Sequence, residues 1–239
     1  MKYRVENLSL EEKLKLLTGK NSWMLETANG KLPSVFLSDG PHGLRMYDME
    51  TNSTKKATAM PTLSLLACTW DTELAYLDGQ VIADDCVEHG ADVLLAPGVN
   101  MKRTPLCGRN FEYFSEDPYL AGYMAKSYIE GVQEKGIGAS LKHFCLNNRE
   151  YDRFYQSSEV DERTIREIYC PAFEIALEAN PWTVMCAYNP INGIWASENK
   201  KILKNLLRDE FNYDGVIVSD WGAVHQSARA VKASLDLEM

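Results

Sequence analysis

Apolar runs alternate with helical segments along this chain, and the joints on the two sides of each run are unequal. That asymmetry constrains the fold more than any other feature. Helix-to-strand joints are tight, running from Gly90 to Val93, from Gly136 to Ala139 and from Asn180 to Thr183. Strand-to-helix joints are long and polar, over 38–60, 97–117, 143–160 and 188–196. Compact domains keep structureless connections short unless function requires them, so long loops leaving the same ends of the strands mark one functional face.

The β-rich runs at 35–37, 63–67, 93–96, 139–142, 183–187, 216–218 and 235–237 predict about seven strands. Runs apolar on both faces and separated by helices imply a parallel sheet covered by helices. Helices are expected over 9–18, 71–89, 118–135, 161–178, 197–210 and roughly 225–233. Ser9 with Glu12 reads as a capping box, with Leu10, Leu14 and Leu17 on one face and Gly19 at the C-terminal stop. Asp71, Asp117, Asp161 and Ser197 are placed as N-caps, and Pro118 takes the first helical position, which tolerates it. Apolar stripes at Ile165, Ile168, Ala172, Ile175 and Ala176, and at Ile202, Leu203, Leu206 and Leu207, support two of these helices. Pro171 is discordant and should bend or end its helix. No linker or repeat divides the chain, so one domain over 1–239 is expected. Its class is α/β, a (β/α)8 barrel of TIM type, incomplete at its C-terminal end because such a barrel typically needs about 250 residues.

The 25 Lys+Arg residues stand against 34 Asp+Glu, a formal charge of −9. That disfavours a surface for nucleic acid or anionic lipid and suits a neutral polar substrate. The longest apolar runs fall far short of the roughly 20 residues that span a bilayer. Six scattered cysteines without a Cys-x-x-Cys pair, and a start without a secretory apolar segment, read as reduced thiols in a cytoplasmic protein. The four histidines show no zinc-hydrolase spacing, and no glycine-rich nucleotide loop is present, so neither a metal nor a cofactor is expected.

Chemistry concentrates at the strand ends. Gly215–Asp220 delivers a carboxylate at the end of an apolar run, followed by Trp221 and Gly222, and Ser34–Asp39 repeats the phrase. An aspartate after a strand is ordinarily a turn former. Two of them beside other polar strand ends point to a site instead. Lys142 and His143 close another run, and a lysine there must find a carboxylate or a ligand, since an unpaired buried ammonium costs several kcal/mol. Asp39 or Asp220 would serve, as a structural ion pair at the mouth. Tyr188, after Met185-Cys186-Ala187, offers a phenol to a neighbouring carboxylate. Arg109, Arg45 and Arg153 lie in three of the long loops, where a guanidinium fork suits hydroxyl pairs and carboxylates.

At these residues the sequence resembles glycoside hydrolase family 3, in particular its β-glucosidase-like members. The matching phrases are Ser38-Asp39-Gly40-Pro41-His42-Gly43-Leu44-Arg45, Gly108-Arg109-Asn110-Phe111-Glu112 with Ser115-Glu116-Asp117-Pro118, Lys142-His143-Phe144, Met185-Cys186-Ala187-Tyr188-Asn189 and Ser219-Asp220-Trp221. The resemblance implies a retaining exo-acting β-glycosidase for β-glucosides or related oligosaccharides, with Asp220 as nucleophile. It implies that Asp39, Arg45, Arg109, Lys142, His143 and Arg153 hydrogen-bond the sugar or support those that do. Met185 and Tyr188 would flank the nucleophile, and Trp221 would wall the subsite. Cationic and phenolic neighbours lead one to expect a low pKa for Asp220. In the family the β-glucosidase-type acid/base glutamate lies in a second α/β domain after the barrel. It is expected to be absent from this chain, and Glu238 is no convincing substitute. The family's hexosaminidase branch keeps a histidine in a His-Gly-Asp-type phrase, where this chain has Cys145-Leu-Asn-Asn-Arg-Glu150. Two other functions compete: a catalytically silent sugar-binding fragment, and a Schiff-base aldolase using Lys142.

Overall fold

The computed structural model describes residues 4–48, 51 and 53–239. Its centre is a five-stranded parallel sheet in sequential order: β1 (Leu37–Asp39), β2 (Val93–Leu95), β3 (Gly138–Phe144), β4 (Thr183–Cys186) and β5 (Val216–Ser219). The register pairs Leu37 with Val93, Val93 with Gly138, Ser140 with Thr183 and Thr183 with Val216. Sequential parallel neighbours are what a β/α barrel requires.

Five strands do not close the barrel. Between β5 and β1 the chain makes only single bridges: Val218 to Leu237, Thr18 to Glu238, Gly19 to Leu25 and Met24 to Phe36. The strand expected at 235–237 is therefore one such bridge.

The strand expected at 63–67 is wrong. Leu63–Ala67 forms a helix, because Thr62 caps it by accepting the amide of Leu65 and its Leu and Ala residues are good helix formers with no β-branch among them. A short, wholly apolar run cannot be assigned by periodicity alone.

The other helices follow the sequence more closely. Numbered in chain order they are α1 (Leu10–Lys15), α2 (Leu63–Ala67), α3 (Thr72–His89), α4 (Pro118–Glu134), α5 (Pro171–Leu177) and α6 (Ser227–Lys232). The Ser9–Glu12 capping box forms, Asp71, Asp117 and Asp161 cap as expected, and Gly90 ends α3 with a φ of +77°. The helix expected over 161–178 is in three pieces: a turn at Glu162–Thr164, a π-helical segment at Ile165–Tyr169, and α5. Pro171 explains the break, since it sits at the start of α5, where its missing N–H leaves no bond unmade. Ser197 is not a cap. Its hydroxyl donates to the carbonyl of Ala223, and Asn199 instead accepts the amide of Lys201 at the start of the π-helix Lys201–Glu210.

Alternation along the strands sorts the core into two layers. Leu37, Val93, Leu95, Met185 and Val218 fill the inner face of the sheet together with Leu237. Leu94, Ala139, Leu141, Val184, Cys186 and Ile217 face outward into the larger core shared with the helices, where Phe144 meets Phe173 edge to face. All six cysteines are free. Among the described residues no helix is long and apolar enough to cross a membrane.

Helices α3 and α4 pack at close quarters because glycines face each other's backbone. A Cβ on Gly131 would collide with the carbonyl of Tyr76, and one on Gly79 with the carbonyl of Tyr128. Helix propensity alone favours Ala over Gly by about 1 kcal/mol. Gly131→Ala is nevertheless expected to destabilise the chain by about 1–3 kcal/mol, the usual cost of overpacking. Chemical denaturation measures it, and an unchanged or raised midpoint would contradict the packing.

Candidate active site

The inner-face alternation that buries Leu37 and Val218 brings Asp39 and Asp220, two residues further on, to the same mouth of the sheet. Lys142 arrives from β3 between them. The register slips between Lys142 and Phe144, so the consecutive Lys142 and His143 both reach this mouth instead of opposite faces. Arg45 returns to β1 because the loop 39–45 closes on itself: the amide of Arg45 donates to the carbonyl of Asp39 at 2.7 Å. Gly40, at φ +141°, makes that turn possible, since a Cβ there would strike the backbone of Gly43 and Leu44.

Arg109 is brought in by a 3₁₀ turn, Asn110–Glu112. Three residues per turn set Arg109 and Glu112 on one side, where Nε–H of Arg109 donates to Glu112 Oε1. The rest of the guanidinium fork reaches Tyr188 (Nη1 to the phenol oxygen, 2.6 Å) and His143 (Nη2 to Nε2, 2.7 Å). Lys142 Nζ stands 3.0 Å from Asp39 Oδ1 and 3.3 Å from Glu112 Oε2, and Arg45 Nη2 lies 3.3 Å from Asp39 Oδ2. The expected ion pair of Lys142 is thus made with Asp39. Glu112 is its second anion.

Electrostatics fix the protonation states. Burial works against the charge on Lys142, but Asp39 and Glu112 outweigh it and hold its pKa above the ordinary lysine value. Burial likewise opposes ionisation of Asp39, which Lys142 and Arg45 overcome, leaving its pKa lowered. Burial, with the cations Arg109 and Lys142, pushes His143 well below the usual histidine range, so the imidazole is neutral. Guanidinium donates and cannot accept, so Nε2 of His143 accepts from Arg109 and Nδ1 bears the hydrogen. That Nδ1 faces Tyr113 Oη at 3.2 Å, and the Tyr113 hydroxyl donates in turn to the carbonyl of Asn147.

Asp220 is buried too, with its side chain 10% exposed. Oδ1 accepts the amide of Trp221 at 2.7 Å. Oδ2 has no hydrogen-bond partner: His143 Nε2 is 3.6 Å away without a hydrogen to give, and Arg109 Nη1 is 3.9 Å away. The expectation of a low pKa is overturned. Burial, aided by the charge of Glu112, raises Asp220 to about 6 against the opposing pull of Arg109, the Trp221 amide and Lys142.

A cavity of about 790 Å³ opens over this layer, lined by Asp39, Arg45, Arg109, Glu112, Arg153 and Tyr188 among others. Of the residues singled out in the sequence, seven share one polar network here: Asp39, Arg45, Arg109, Lys142, His143, Tyr188 and Asp220. Arg153 forms the cavity wall, with its guanidinium 4.7 Å from the Tyr188 ring and bonded to Glu150. The Tyr188 phenol contacts Arg109 and makes no hydrogen bond to Asp220. Met185 is buried in the apolar layer below, and Trp221 turns its ring onto Trp23 and its indole N–H onto the carbonyl of Ser22. Neither lines the cavity, and Lys142, His143 and Asp220 lie behind its lining, in contact with Asp39, Arg109 and Glu112.

Three residues of the network were not singled out. Glu112 carried a signal, its position three residues after Arg109. Tyr113 and Asn100 carried none, although Asn100 clamps the backbone of His143 from both sides, accepting its amide at 2.9 Å and donating to its carbonyl at 3.0 Å.

Comparison with known proteins gives the family. Residues 3–238 match the Glycosyl hydrolase family 3 N terminal domain. The chain is 48% identical over 242 residues to thermostable beta-glucosidase B of Acetivibrio thermocellus, covering 98% of this chain and 32% of that protein. It is 46% identical to an exo-alpha-(1->6)-L-arabinopyranosidase of Bifidobacterium longum, with the same coverage. Beta-glucosidase 3B of Thermotoga neapolitana, solved with α-D-glucose, superposes with a TM-score of 0.93 at 42% identity over 98% of this chain and 35% of that one. The chain therefore spans about a third of the length of these relatives. It belongs to glycosyl hydrolase family 3, as its N-terminal domain.

Proposed function

We propose that this chain carries the nucleophile and sugar-binding part of a retaining, exo-acting β-glycosidase of β-glucosidase type. The observation that carries the reading is Asp220 Oδ2, a buried carboxylate oxygen without a donor, 3.9 Å behind Arg109, which lines a cavity rimmed by fixed hydrogen-bonding groups. In the proposed reaction Oδ2 attacks the anomeric carbon as the bond to the leaving oxygen breaks, and water later cleaves the glycosyl ester, so configuration is retained. Arg45, Arg109, Lys142 and Asp39 supply donors and acceptors for sugar hydroxyls, and Arg153 supports the wall through Tyr188. The glucose complex of the Thermotoga relative supports a glucoside as substrate.

Retention also needs a second carboxyl about 5–5.5 Å from the first, protonated to assist the leaving group. The neighbouring carboxylates do not suit that role, because Asp39 is held ionised by Lys142 and Arg45, and both oxygens of Glu112 face cations. We assign the proton donor to a following α/β domain of the whole protein, and the 239 residues to a barrel domain without its last segment. A Schiff-base aldolase is the weaker reading, because such a lysine must be neutral and Lys142 is held charged by two carboxylates.

A 2-deoxy-2-fluoro-β-glucoside with a dinitrophenyl leaving group needs no acid assistance, so it tests the chain directly. Mass spectrometry is expected to find one adduct, on Asp220, and none in Asp220→Asn. An adduct elsewhere, or binding without an adduct, refutes the nucleophile assignment.

The same reaction has a predicted pH dependence. Only the carboxylate attacks, so the second-order labelling rate rises with pH through about 6 and falls tenfold per unit well below it. A midpoint near the ordinary aspartate value of about 4 would contradict the burial of Asp220.

A further inference from the structure

One buried carboxylate in this layer takes no part in the reaction just described. Glu112 is 3% exposed, and its two oxygens are divided between two cations: Oε1 takes the Nε–H of Arg109, and Oε2 stands 3.3 Å from Lys142 Nζ. It reaches the reacting atoms only through these partners.

Resting on the glycosidase reading, we propose that Glu112 is a positioning residue whose carboxylate holds Arg109 and Lys142 apart from Asp220, so that Oδ2 stays free of a donor. A guanidinium is planar, so pinning its Nε edge fixes where the other N–H groups point. With Nε on Glu112, Nη1 meets Tyr188 and Nη2 meets His143, and Asp220 Oδ2 is left 3.9 Å from Nη1, outside hydrogen-bond range. The lysine is a flexible stem with a point charge. Asp39 draws it from one side and Glu112 from the other.

Removing the Glu112 charge leaves Arg109 and Lys142, with side chains 16% and 4% exposed, as two like charges in a desolvated layer. The nearest anion left for Arg109 is Asp220. A guanidinium that swings onto Oδ2 blocks the nucleophile and stabilises its ionised form, so one change produces two linked effects. The labelling rate falls, and its acid limb moves to lower pH. A carboxylate that acted only by its charge at a distance would move the limb without slowing labelling at pH 7, and one that served only to hold the fold would slow labelling without moving the limb.

The experiment measures the pH profile of Asp220 labelling by the dinitrophenyl 2-fluoro-glucoside in the wild-type chain, Glu112→Gln and Glu112→Asp. Glu112→Gln is expected to label at least about 30-fold more slowly at pH 7, with its midpoint lowered by about one unit. Glu112→Asp keeps the charge on a shorter stem that reaches Arg109 less well, and it is expected to be intermediate in both rate and midpoint. The proposal is overturned if Glu112→Gln labels within about threefold of wild type, or labels slowly with an unmoved midpoint. Should Glu112→Gln fail to unfold cooperatively, Glu112→Asp decides: a slowed rate with a lowered midpoint supports the proposal, and a wild-type rate, or a slowed rate at the wild-type midpoint, ends it. An unlabelled wild type would sink the glycosidase reading instead. The ¹³C-carboxyl titration of Asp220 would then judge Glu112 without turnover, moving down in Glu112→Gln if the proposal holds and staying put if it does not.

Discussion

The site depends on a layer of buried charges that satisfy one another. Asp39, Glu112 and Asp220 alternate with Lys142 and Arg109 over an apolar sheet interior of Leu37, Val93, Leu95, Met185 and Val218. No member could be buried alone, since the cost of desolvating an isolated ion exceeds what packing returns. The carboxylates and cations must therefore come together, and the parallel sheet brings them together by ending several strands at one mouth. The compensation is uneven in its result: Asp39 is held ionised by two cations, whereas Asp220 receives one amide bond and keeps an oxygen without a donor. Two aspartates at equivalent strand ends thus acquire different chemistry from their burial and their neighbours.

Much of this was legible in the sequence, for a physical reason. A strand buried on both faces is a short apolar run, and a polar residue at its end is conspicuous, so Asp39, Lys142, His143 and Asp220 stood out. Loop asymmetry then placed them on one face. What stayed hidden depended on three-dimensional contact. Leu63–Ala67 has no period to read, and its helix is set by Thr62. The break before Pro171 shows only that a helix cannot continue, not that a π-helical segment precedes it. Tyr113 and Asn100 act on His143 from 30 and 43 residues away in sequence, with no local pattern to mark them. The pKa of Asp220 was misjudged because neighbouring charges can be guessed from motifs, while the depth of burial cannot.

Relatives with 46–48% identity bear the names of different activities, a glucosidase and an arabinopyranosidase. This fits a division of labour within the site. In the proposed reaction the charged layer would supply the nucleophile and donors that any pyranoside can use, and the loop residues around the cavity would shape what enters. Changing one charge of the layer leaves another unpaired.

The central claim is that burial, and not the nearby cations, governs the ionisation of Asp220. The most direct measurement is a ¹³C-carboxyl NMR titration of the aspartate-labelled chain, with the resonance assigned by its loss in Asp220→Asn. The account predicts a midpoint near 6 for Asp220, below only that of Asp78, which burial raises to about 7. A midpoint at or below the ordinary aspartate value of about 4 would contradict it.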